Sequence, residues 1–138
     1  MKIVCIKNTA KNLDLSEITT IFSHDYKYSL ETGKEYIVMG IAIYKDTNCP
    51  YYLIDENGLP DWYPYPLFSI SDNSLPKNWT VKVYDKKEAG DILFLCGFKD
   101  LCDGKDYHDL LMNRDEEAMR IYFRRKIEFE KEVRLEQG

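Results

Sequence analysis

The sequence is poor in the residues that catalysis most often draws on. Only two histidines occur in 138 residues, His24 and His108. There is no G-x-S-x-G, no phosphate-binding P-loop and no H-E-x-x-H, so the enzyme classes recognised by those spacings are excluded. The four cysteines (Cys5, Cys49, Cys96, Cys102) never form C-x-x-C. Three of them sit beside strand-like apolar residues, as small buried hydrophobes do. No apolar run approaches the roughly 18 residues that a bilayer span requires. The opening Met1-Lys2-Ile3-Val4-Cys5-Ile6 is too short in its apolar part for a signal peptide. The expectation is a cytoplasmic protein with no membrane partner.

Arginine is missing from the first 113 residues; all five lie at Arg114, Arg120, Arg124, Arg125 and Arg134. Residues 1–112 therefore carry the whole formal net charge of −5, and residues 113–138 are balanced. An acidic body repels phosphates, so no nucleic-acid partner is expected. The short basic run Arg124-Arg125-Lys126 is offset at once by Glu128, Glu130 and Glu132.

What the chain has is apolar and aromatic side chains, 44% and 14% of residues, with 11 tyrosines. That is enough for one core, and 138 residues suit a single domain. Tyrosine-rich composition favours strands, because flat rings pack well on a pleated surface. Strands are expected over 2–7, 35–44, 51–55, 61–63, 68–70 and 79–84, with 92–98 a buried strand or short buried helix. Residues 8–23 fit either period. Asp46-Thr47-Asn48 reads as a break, and Asn57-Gly58 between apolar runs is a hairpin signal because both residues tolerate positive φ. Three prolines (Pro60, Pro64, Pro66) each remove a ladder donor, so residues 59–70 must form an edge strand or one broken by a tight turn at 64–67. In 79–84, Trp79, Val81 and Val83 fall on one face and Thr80, Lys82 and Tyr84 on the other.

Helical periodicity takes over near the end. A short helix is expected over 105–112 and a long one over 114–135, capped by Asn113 with Glu116 three residues on. At about 100° per residue, Ala118, Met119, Tyr122, Phe123, Ile127, Phe129 and Val133 gather on one half of the long helix and Ile121 falls outside. Arg124–Glu128 and Glu130–Arg134 would form ion pairs on its solvated side.

Three segments sharpen the fold: Tyr28-Ser29-Leu30-Glu31-Thr32-Gly33-Lys34-Glu35-Tyr36-Ile37-Val38-Met39-Gly40-Ile41, then Tyr51-Tyr52-Leu53-Ile54-Asp55-Glu56-Asn57-Gly58, then Trp62-Tyr63-Pro64-Tyr65-Pro66-Leu67-Phe68. Together they resemble a run found in small, uncharacterised bacterial proteins with SH3-like barrels, some of them similar to immunity proteins that neutralise toxins. The resemblance implies a mainly β, α+β fold: an SH3-like antiparallel barrel over residues 1–98, with a helical extension over 99–138 packed on it. Its motifs describe turns and core, and it brings no catalytic residues.

Two groups stand out as binding candidates. Asp100, Asp103, Asp106 and Asp109 recur every three residues, with Cys102 and His108 between them. Four carboxylates suit a hard cation, but a calcium loop places its acids at alternate positions before the glycine, and this spacing does not fit. No metal or other cofactor is expected. Cys96 or Cys102 with His108 and Asp109 could be drawn as a nucleophile, base and orienter. However, Cys96 sits within Ile-Leu-Phe-Leu-Cys-Gly-Phe, where a thiol is inert, and no enzyme is expected. The second group is aromatic: Tyr51, Trp62, Tyr63 and Tyr65, with Tyr52 and Phe68 beside them. Alternation puts about half of these rings in the core and half outside, where aromatics mark interfaces. The expected function is non-catalytic protein binding through Tyr51, Trp62, Tyr63, Tyr65, Asp100, Asp103 and Asp106, with a basic, toxin-like partner. The alternative is a peptide- or small-ligand-binding domain that uses the aromatic group as a groove. Oligomeric state is left open.

Overall fold

The computed structural model describes residues 1–9, 27–45, 49–85, 87, 90–103 and 106–137, with the backbone alone at 134, 136 and 137. Most of the ambiguous stretch 8–23, the break at 46–48 and His24 lie outside the described residues. The rest builds eight strands and three helices: β1 (Lys2–Cys5), β2 (Glu35–Ile37), β3 (Gly40–Tyr44), β4 (Pro50–Glu56), β5 (Leu59–Pro64), β6 (Phe68–Asp72), β7 (Trp79–Val83), β8 (Ile92–Phe98), α1 (Lys99–Asp103), α2 (Tyr107–Met112) and α3 (Glu116–Gln137). The fold is α+β and mostly β.

Every strand pair is antiparallel, and the strands form two sheets, ordered β2-β1-β6 and β5-β4-β3-β8-β7. The single strand expected over 35–44 is two. Val38 donates its N–H to Met1 O at 3.1 Å, and the next residue, Met39, donates to Leu53 O at 2.8 Å. The chain changes sheets across one peptide, so the two layers share a bend. Among the described residues the ladders form two antiparallel sheets, of three and five strands, and no closed barrel is found.

Local chemistry explains the middle of the chain. Asn57 (φ 53°) and Gly58 (φ 76°) turn β4 into β5 with both residues at positive φ, as a two-residue hairpin matched to strand twist requires. Pro60 and Pro64 sit in β5, which is an edge strand of its sheet, where missing donors cost least. Tyr65–Leu67 makes the expected tight turn as a single 3-10 turn before β6.

The five-stranded sheet is the central layer. Along β4, Tyr52 and Ile54 point into one apolar cluster with Ile3, Tyr36, Val38, Tyr63, Leu67 and Phe68, against the three-stranded sheet. Leu53, between them, points into the other cluster with Ala42, Leu95, Leu101, Leu111, Tyr122 and Phe129, under the helices. A strand covered on both faces reads as a continuous apolar run, which explains Tyr51-Tyr52-Leu53-Ile54. Each fully buried aliphatic side chain contributes about 1.5–3 kcal/mol.

The helical part departs from expectation in four ways. A further helix, α1, follows β8 directly. The cap of α3 is Asp115, whose Oδ2 accepts from Ala118 N–H at 3.0 Å; Asn113 instead ends α2. The covered stripe of α3 is narrower than the sequence suggests. Ala118, Tyr122 and Phe129 are buried, Ile121 packs beside them, and Ile127 is 53% exposed. Glu128 pairs with Arg125, not with Arg124. Among the described residues no helix is long and apolar enough to cross a membrane.

Candidate functional site

The two candidate groups meet at one corner of the molecule. Trp62 lies near the middle of β5, on the face of the sheet that carries the helices, and α2 crosses that face. Its indole Nε1 donates to His108 Nε2 at 2.8 Å, with the ring centres 5.9 Å apart. An indole N–H only donates, so Nε2 must accept and the imidazole hydrogen sits on Nδ1. Nδ1 in turn faces Asp109 Oδ1 at 3.4 Å. Arg114, held at φ 63°, donates from Nη1 to Pro60 O and ties the α2–α3 corner to the same strand.

The aspartates divide. Asp100 Oδ2 accepts from Arg125 Nε at 2.8 Å and is three-quarters covered. Asp103, at the end of α1, is 57% exposed and 3.9 Å from Lys99. Asp106 stands at the start of α2, exposed, and makes no capping bond with its side chain. Asp109 is 83% exposed. Three carboxylates therefore face solvent around α2, and one is committed to α3.

The aromatic group is split by the pleat of the sheet. Tyr51 and Tyr63 are buried, against the expectation that Tyr51 is an exposed anchor. Tyr51 stands edge-on to Tyr44 at 5.1 Å, and Trp62 packs against its cluster. Tyr63 points to the opposite face, edge-on to Tyr28 at 6.2 Å. Trp62 is half-buried, and Tyr65, in the 3-10 turn, is exposed. Alternation along β5 separates Trp62 from Tyr63, so these four rings do not line one groove.

The cysteine and histidine candidates also separate. Burial pushes the Cys96 and Cys102 thiols up from their ordinary range, and Cys102 Sγ donates to Thr80 O at 3.4 Å. His108 is committed to Trp62. Among the described residues no three histidine, cysteine, aspartate or glutamate side chains gather as a metal cluster. The Trp62–His108 contact is absent from the sequence reading because the two residues are 46 apart and no local pattern links them.

In comparison with known proteins, no family model, no curated protein and no solved structure matches the chain.

Proposed function

We propose that this is a non-catalytic binding protein that acts through a protein–protein contact, in the manner of an immunity protein facing a basic, toxin-like partner. The observation that carries the reading is the α2 corner, where Asp103, Asp106 and Asp109 are exposed beside a half-buried tryptophan. Interfaces use such a pairing, with an aromatic anchor at the centre and charge at the rim that steers encounter. The SH3-like likeness belongs to the same proposal. Supporting it are a first strand paired with both its successor and β6, a chain that passes from one sheet to the other between β2 and β3, a tight hairpin, and a 3-10 turn before the returning strand. A cytoplasmic location suits four buried cysteine thiols.

A second reading, a peptide or small ligand held on the aromatic group, now rests on Trp62 and Tyr65, since Tyr51 and Tyr63 are buried. The test of the first is kinetic. The protein is used to capture partners from its native cells, and rates are measured by surface resonance with Asp103→Asn and Asp106→Asn together. Asp100 is left intact because it holds Arg125. Association should slow several-fold at low salt and recover towards wild type as screening sets in at a Debye length of about 8 Å. No captured protein, or unchanged rates at every salt concentration, would sink the reading.

A further inference from the structure

Another surface with bonding capacity is the outer edge of β7, and its charge is opposite to that of the α2 corner. Among the described residues β7 is the last strand of its sheet and pairs with β8 alone. Tyr84 N–H donates to Leu93 O at 2.9 Å. Bonded and non-bonded pairs alternate along an antiparallel ladder, so Lys82 and Thr80 also bond to β8. The N–H and C=O groups of Val81 and Val83 therefore face outward. Their side chains are 59% and 69% exposed, although alternation puts them on the same face as Trp79. The three-stranded sheet does not extend over this end.

Within an acidic protein this edge is basic. Lys77, Lys82 and Lys87 are exposed along it, and Lys99 stands on the adjoining α1. Two carboxylates offset part of that charge: Asp85 accepts from Lys87 N–H at 3.0 Å and Glu132 from Lys77 N–H at 3.0 Å. At the start of β7 a cleft of ≈ 420 Å³ opens between the strand and α3; its lining includes Lys77, Lys99 and Arg125, one acid, Glu128, and the rings of Trp79 and Phe129. Trp79 Nε1 is buried there with no hydrogen-bond partner among the described residues.

We infer that the β7 edge takes an added strand from an acidic, extended segment of a partner protein. The main chain of that segment would pair with Val81 and Val83, its carboxylates would face the lysine row, and one side chain would enter the cleft. Strand addition draws its affinity from main-chain hydrogen bonds and its specificity from alternate side chains. The lysine row supplies the selection for acid. This surface adjoins the α2 corner through the Lys99–Asp103 pair at 3.9 Å, and the two proposals are tested by different residues.

The probe is a synthetic alternating valine–glutamate peptide, with a valine–lysine peptide as its control, added to isotope-labelled full-length protein. The glutamate peptide should slow amide exchange at Val81 and Val83 and bind at least about tenfold tighter than the lysine peptide. Val81→Pro removes an outward donor while sparing the bonds to β8, an arrangement edge strands tolerate, and should abolish binding. Should that variant fail to fold, Lys77→Glu with Lys82→Glu changes only exposed charge and should weaken binding about tenfold at low salt. Equal binding of the two peptides overturns the inference, as does glutamate-peptide binding that leaves Val81 and Val83 exchanging freely. Protection of those amides by protein concentration alone, with no peptide, would assign the edge to a second copy and also overturn it.

Discussion

Gly40 and Gly97 stand opposite each other across the β3–β8 ladder, beneath Leu101 of α1. A Cβ at Gly97 would lie 2.8 Å from Leu101 Cδ2 and 2.8 Å from the Met39 carbonyl oxygen, which is backbone and cannot turn away. Gly58 has nothing within 4 Å, but its φ is +76°. The two glycines are needed for different reasons, one for space and one for conformation. Gly97→Ala should cost about 1–3 kcal/mol through overpacking, and Gly58→Val about 1–2 kcal/mol through left-handed backbone strain. Urea midpoints measure both, and wild-type stability of either variant would contradict its stated cause.

Glu56 is buried at the end of β4, where it accepts from the Tyr36 hydroxyl and from Lys34 Nζ at 2.9 Å. Burial alone would raise its proton affinity, but those two hydrogen bonds and the lysine charge outweigh it and hold the carboxyl below its ordinary value. A carboxyl lowered in the folded state stabilises above its unfolded value of about 4.3, and that contribution is lost as pH falls through the folded value. Glu56→Gln should therefore lose about 1–3 kcal/mol near neutrality, and its gap to wild type should close below about pH 4. A gap constant from neutral to acid pH would mean that packing, not charge, sets the loss.

At the scale of elements, α3 is fastened to the sheet by polar side chains as well as by its apolar stripe. Tyr122, fully buried, donates to Asp55 Oδ1 at 3.0 Å, and Lys126 donates to Asp55 Oδ2 at 3.0 Å. Arg125 lies on the covered side of the helix and reaches Asp100 on α1. Tyr122→Phe keeps the ring and removes one bond, so it should cost about 1 kcal/mol. Combined with Lys126→Met it leaves a largely covered carboxylate with neither partner, and the loss should exceed the sum of the two single changes. A double-mutant cycle in urea reads this directly; strict additivity would show that Asp55 finds other partners.

At the scale of the molecule, the helices are the second half of the core. Met39, Ala42, Leu53, Leu95 and Phe98 all pack into the cluster beneath them. A chain ending at residue 98 would expose these side chains together, and an exposed apolar face of that kind drives aggregation. Such a truncation should show no cooperative melting transition and should bind a hydrophobic dye. A sharp transition would mean that the two sheets fold without the helices.

The sequence by itself determined what short-range geometry controls. Asn57-Gly58 requires positive φ, three prolines require an edge strand and a tight turn, and period 3.6 requires the long C-terminal helix; all three are present. It also set alternation along β5 and β7, because successive strand residues must point oppositely. Which of the two faces is covered is a different question, and only the tertiary structure decided it. Tyr51 and Tyr63 lie on opposite faces and are both buried, because β4 and β5 sit between two layers. Val81 and Val83 are exposed because the three-stranded sheet stops short of β7. His108 meets Trp62, and Asp100 meets Arg125, through contacts 46 and 25 residues apart. Such pairings depend on where distant elements dock, and local periodicity holds no record of that.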